Sequence, residues 1–225
     1  AVAALLLLPP AAGYVFDLLW TRPVGGLSDG YRAALQALDA LPADGRLLCD
    51  DMNLGHLIPF YRQRAVIGGL STQAFLKHRF AGMDNNGACF GRAPEDWTAA
   101  DLRIYLDAYG IAGAVLQRGE WLALAARCAE LFEPAGSAAG FRFYRVRNAQ
   151  PSLALEGEAD VRADYGRIDV RRARSRVLVL KLHYAPWLRA DRGVRLDPQP
   201  VLDDPVPFLR ATLPAGVEAF TIRGP

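Results

Sequence analysis

Net charge is almost missing from this sequence, and so is lysine. Lys77 and Lys181 are the only lysines, and the formal charge is +2 spread over 225 residues. Nucleic-acid binding needs cations clustered along a groove or stripe, so no nucleic-acid partner is expected. The arginine bias itself is ascribed to a GC-rich coding sequence before any guanidinium chemistry. Cysteine is scarce too. Cys49, Cys89 and Cys128 are odd in number and lack metal-type spacing, which removes a disulfide framework and a zinc site and leaves at most one bridge. There is no P-loop, no Gly-x-Gly-x-x-Gly after a strand, no Gly-x-Ser-x-Gly elbow and no His-Glu-x-x-His, so nucleotide-dependent and serine-hydrolase readings are weak. No fixed-period repeat or low-complexity stretch occurs. With 52% hydrophobic and 22% charged residues, the composition excludes general disorder and leaves ample material for a core.

What is present begins with an apolar run, Leu5-Leu6-Leu7-Leu8 through Val15-Phe16-Asp17-Leu18-Leu19-Trp20. It falls short of the ~20 apolar residues of a full crossing and holds two prolines, and no basic start marks it as a secretory signal. Trp20 and Arg22 suit a membrane interface. Residues 1–22 are therefore expected to be the outer end of a transmembrane helix belonging to a larger protein. A buried helix of a complete soluble protein is the alternative.

From Leu27 to Arg147 helical and extended segments alternate. Ser28 caps a helix over 29–41 ended by Pro42, and Arg46 to Cys49 forms a short strand running into Asp50-Asp51. A helix over 54–61, a strand at 65–67 and a helix over 71–80 follow. Thr98 caps a helix over 99–109 that Gly110 ends, and Ile111 to Leu116 reads as a fully buried strand. A helix over 120–131 and a half-buried strand at 141–146 complete the series. Alternation of this kind predicts a small α/β, Rossmann-like unit over 25–148 with a largely parallel sheet. After the linker Asn148-Ala149-Gln150-Pro151 the helical signal stops. Strands at 159–163, 167–171, 177–183, 208–213 and 218–222 predict an antiparallel β-sandwich over 151–225. The fold class is thus α+β overall.

Three sets of residues are candidates for function. Asp50, Asp51 and His56 lie in the loop after the first strand, at the carboxyl end where open α/β sheets take ligands. Paired carboxylates beside an imidazole suit a divalent cation or acid–base work. The plainer reading is that an aspartate caps the next helix and His56 is a satisfied surface or core residue. Lys77, His78 and Arg79 with Asp84 bring cations and amides together and suit lipid headgroups or a pyrophosphate, against the plainer reading of a solvated helix end and an Asn-Gly turn. Trp187 is exposed for stacking on a sugar ring or, by default for a Trp between strands, packed in the core. His183 shows no obvious partner, and Asp203-Asp204-Pro205 reads as an ordinary turn.

His183-Tyr184-Ala185-Pro186-Trp187, then Val201-Leu202-Asp203-Asp204-Pro205, then Leu213-Pro214-Ala215-Gly216, resembles the closing β-domain of YfhO-like and related bacterial multi-pass membrane proteins with a GT-C glycosyltransferase architecture. Arg192-Gly193 stands where that group usually has Asp-Gly in its hairpin. Arg64-Ala65-Val66-Ile67-Gly68-Gly69 and Phe75-Leu76-Lys77-His78 are similar to the extracytoplasmic region of the same group. The resemblance implies a parent that moves sugar from a polyprenyl-phosphate donor to an envelope acceptor, with the catalytic carboxylate in a loop this chain does not contain. It implies a periplasmic location, contact with a lipid-linked sugar or envelope glycan, and no cofactor for this region, with a divalent cation conceivable in the parent. A non-catalytic carbohydrate-binding module and a soluble α/β enzyme using Asp51 and His56 are the alternative readings.

Overall fold

A computed structural model describes residues 26–68, 88–164 and 166–224. The apolar run over 1–22, the helix expected over 71–80 and the cluster of Lys77, His78, Arg79 and Asp84 lie outside the described residues. The chain is a mixed α/β protein.

Its first sheet is assembled from β1 (Arg46–Cys49), β2 (Val66–Ile67), β3 (Ile111–Leu116), β4 (Phe132–Ala138) and β5 (Phe141–Val146), in the order β2-β1-β3-β5-β4. The β1–β2 and β1–β3 pairings are parallel, as the α/β alternation requires. The β3–β5 and β5–β4 pairings are antiparallel, so the sheet is mixed. Its antiparallel half comes from β4, which the sequence conceals. Pro134 and Gly136 argue against a strand, but β4 is an edge strand and bends between these two residues, where a missing N–H costs no ladder bond.

Helices pack on both faces. Helix α1 (Asp29–Ala37) and α2 (Met52–Arg62) share a core with Leu47, Cys49, Val115 and Phe143. Helix α3 (Ala99–Ala108) and α4 (Gly119–Arg127) cover the opposite face through Leu48, Ala114, Leu116 and Tyr144. Alternation along each strand sends neighbouring side chains to the two layers, and all six residues of β3 are buried. The expected caps are in place. Ser28 Oγ accepts the Tyr31 N–H at 3.3 Å, and Thr98 Oγ1 accepts that of Asp101 at 3.1 Å.

Two antiparallel four-stranded sheets follow. One has β7 (Asp160–Asp164), β8 (Arg167–Arg171), β10 (Arg189–Ala190) and β13 (Phe220–Arg223) in the order β10-β13-β8-β7. The other has β6 (Ala154–Glu156), β9 (Val177–His183), β11 (Arg195–Gln199) and β12 (Phe208–Thr212) in the order β11-β12-β9-β6. They share a cluster made of Val170, Phe220 and Ile222 on one side and Leu178, Leu180 and Leu209 on the other.

The reverse face of β9 explains its uneven alternation. Leu178 and Leu180 enter the cluster between the sheets, whereas Val179 joins the core of the first unit, as does Phe208 of β12. The mixed side of the strand is therefore a junction between the two halves of the chain.

Candidate functional site

The loop after β1 splits its two carboxylates between different helices. Asp50 is buried and turns toward the β3–α4 connection, where its carboxylate accepts the Gln117 N–H at 2.8 and 2.9 Å and the Arg118 N–H at 2.8 Å. These amides lead into α4, whose start has no side-chain cap of its own. Asp50 thus does from a neighbouring strand what an N-cap residue does locally. Burial pushes its pKa up to about 6, against the opposing pull of the Arg118 and Gln117 amides and the Arg118 charge. Asp51 turns the other way and caps α2, its Oδ1 accepting the Leu54 N–H at 2.6 Å. His56 is half-buried within α2.

Cys49 lies beneath this loop, wholly buried, with its thiol donating to the Asp51 carbonyl at 3.4 Å; burial raises its pKa far above the ordinary range. Gly68 closes the loop from the side. Its φ is +131°, and a Cβ there would stand 2.1 Å from the Cys49 carbonyl oxygen. Among the described residues no group of three His, Cys, Asp or Glu side chains is placed to hold a metal ion. The plainer reading of this loop, a cap for the next helix, describes Asp51; Asp50 serves α4 instead.

A second polar constellation was hidden in what reads as an ordinary turn. Asp204 is 8% exposed as a residue and its side chain is fully buried. It receives the hydroxyl of Tyr109 at the end of α3, the Nε2 of His183 at 2.8 Å and the Val206 N–H at 2.8 Å. With Asp204 ionised, the His183 proton sits on Nε2. Burial alone would raise the acid's pKa; hydrogen bonds from His183, Tyr109 and Val206 outweigh it and hold Asp204 below the usual carboxylate range. Tyr105 donates to the adjacent Asp203. The rings of Tyr109, Phe208 and His183 enclose the group, with centroids 5.3 to 6.4 Å apart. His183 therefore has a partner, and Asp203-Asp204 anchors the second half of the chain to α3. Nothing local in Asp-Asp-Pro announces this, since Tyr109 is 95 residues away.

The buried Lys181 and the half-buried Arg46 brace the same junction through backbone carbonyls. Arg46 donates to the Tyr109 oxygen at 2.6 Å and the Lys181 oxygen at 2.7 Å, and Lys181 Nζ donates to the Gln150 oxygen at 2.6 Å. Burial lowers the Lys181 pKa to about 8, although Asp107 pulls it upward.

Trp187 corrects the expectation of core packing. It is 49% exposed, whereas Trp97 and Trp121 are buried. The reason is local: Ala185 to Leu188 form a turn closed by a 3.0 Å bond from Leu188 N–H to the Ala185 carbonyl, with Pro186 and Trp187 at its tip. Pro186 presets the turn, and Leu188 and Ala190 of the following strand pack into the cluster instead. Comparison of this chain with protein-family models, curated proteins and solved structures finds no match.

Proposed function

We propose that this chain is the non-catalytic, extracytoplasmic part of a membrane glycosyltransferase of the GT-C type, a Rossmann-like unit joined to a β-sandwich that positions an envelope acceptor or caps the active-site cavity. The parent's sugar would come from a polyprenyl-phosphate donor. The parentage rests on the resemblance of the Pro186-Trp187 and Pro214-Ala215-Gly216 segments. The non-catalytic role rests on one observation: the strand end where an open α/β sheet takes its ligand is filled by the chain's own Asp50 carboxylate, on the amides that lead into α4. Asp51 is likewise committed to a helix cap.

The test is transfer of labelled sugar by membranes carrying the full-length protein. Asp51→Asn and His56→Ala are expected to keep transfer within about threefold of wild type, because neither touches a reacting group. A loss of more than a hundredfold in either, with the protein folded, would place the chemistry in this region. Absence of any transfer by the intact full-length protein would overturn the parentage.

The exposed Trp187 favours a second reading, a carbohydrate-binding module without an enzymatic parent. It predicts glycan binding by the chain itself, lost in Trp187→Ala.

A further inference from the structure

The four-stranded sheet β10-β13-β8-β7 has an outward face with an unusual charge register. Arg189 pairs with Arg223, Arg223 with Arg167, and Arg167 with Asp164, so three arginines stand side by side across three adjacent strands. The next row inward in register, Ala190, Ile222 and Ile168, packs into the cluster between the sheets, which puts the arginine row on the outside. All three arginines are exposed. Directly opposed like charges destabilise a sheet, and strands lie only ~4.8 Å apart.

The available acids reach only the Arg167 end of the row, where Asp164 also stands opposite in register. Asp169 bonds Arg167 at 2.9 Å and also accepts the Thr221 hydroxyl. Asp160 pairs with Arg172, and Asp191 accepts the Thr221 N–H at 2.8 Å. The Arg223 side chain has no hydrogen-bond or ion-pair partner among the described residues, whereas Arg162 and Arg171 on the same face stand opposite Asp169 and Asp160 in register. A groove of about 720 Å³ runs beside the row over β7 and β8, lined by Arg162, Arg167, Arg171 and Arg172 with three aspartates.

At the end of the row stands the exposed Trp187. The Arg189 guanidinium bonds the carbonyls on either side of it, Pro186 at 2.7 Å and Leu188 at 2.8 Å, so the cation and the ring belong to one turn. Trp187 is the only large exposed apolar side chain on these four strands and their turns among the described residues. A single ring is too little to insert this face into a bilayer, but it is enough to carry one sugar. Trp faces stack on flat apolar surfaces, and guanidinium groups take carboxylate or phosphate oxygens through paired N–H donors.

We propose that this face binds an acidic polysaccharide, with the carboxylates or phosphates of its sugars meeting Arg223 and Arg189 and one sugar ring lying on Trp187. The choice of a polysaccharide follows the envelope-facing reading above; the opposed Arg189 and Arg223 stand without it.

The experiment is binding of the chain to immobilised polygalacturonate, with neutral dextran and phosphatidylglycerol vesicles as the other arms. Retention on polygalacturonate, weakened by salt and absent on dextran, is expected. Arg223→Ala and Trp187→Ala should each weaken it roughly tenfold, the loss of one charge-assisted contact or one stacked ring. Arg195→Ala, on the other sheet, should leave it unchanged. Removing Arg223 relieves repulsion, so its thermal midpoint at low salt should hold or rise, which separates lost binding from lost folding. Equal binding to dextran, indifference to Arg223→Ala, or binding to vesicles alone would overturn the proposal. Sugar transfer by the full-length protein is read separately, so a failure here leaves the transferase reading standing, and the reverse.

Discussion

Asp50 carries the clearest physical conflict at the level of single residues. Its folded-state pKa of about 6 lies above the ~3.9 of an exposed aspartate. Folding therefore favours the protonated form, and the folded state holds more protons than the unfolded state between about pH 4 and 6. Stability should fall as pH rises through that window, by about 3 kcal/mol for a shift of about two pKa units. Asp50→Asn is expected to abolish that slope. It should also lower stability at pH 5 by about 1–3 kcal/mol, because an amide nitrogen would then face the backbone donors of Gln117 and Arg118. Urea unfolding of both proteins across pH 4–7 reads the two effects together. Arg192 is a second such residue. Arg192 and Gly193 have φ values of +55° and +70° in a turn closed from Val194 N–H to the Asp191 carbonyl at 3.2 Å, the geometry in which asparagine followed by glycine is preferred. Arg192→Asn should raise stability by about 0.5–1 kcal/mol, measurable as a shifted denaturant midpoint with an unchanged slope.

Among the elements, β1 and β2 show how little room a parallel pair leaves at its end. Gly68 follows β2 with a φ open only to glycine, and its α-carbon faces the Cys49 carbonyl at the end of β1. Gly68→Ala must move backbone rather than a flexible side chain, so a loss of about 3 kcal/mol or more is expected in thermal unfolding. A loss under 1 kcal/mol would mean that the β1–β2 pair is not held as described. The elements that local pattern reveals and those it conceals separate on the same ground. Helices α1 and α3 begin at Ser28 and Thr98, whose caps depend on residues three positions away, and β3 is visible as six successive apolar residues. β4 and β11 contain Pro134 and Pro198 and look like loops in sequence. They become strands because each sits at a sheet edge with a partner on one side only.

Across the whole molecule, the junction binds the two halves into one cooperative body. Val179 and Phe208 sit in the same core as Leu102, Trp121 and Tyr144, and the Tyr109–Asp204–His183 group closes that core. A single unfolding transition is expected. Asp204→Ala should lower stability at pH 7 by about 3–5 kcal/mol, since it leaves Tyr109 and His183 with buried polar atoms that have lost their acceptor. Because the Asp204 pKa is depressed, its contribution is present above the ordinary carboxylate pKa and is lost as pH falls through the lower folded-state value. The acid side of the stability profile should therefore flatten in the variant; calorimetry from pH 2 to 7 reads this. The sequence alone determined the alternating order of the first half, the strand-rich second half, the caps and the buried character of β3, because each depends on neighbours within a few residues. Tertiary structure decided what Asp50, Asp204, Trp187 and the arginine row do. Their partners or neighbours arrive through strand register and sheet packing from residues 34 to 95 positions away for Arg223–Arg189 and Asp204–Tyr109, distances over which a one-dimensional pattern carries no pairing information.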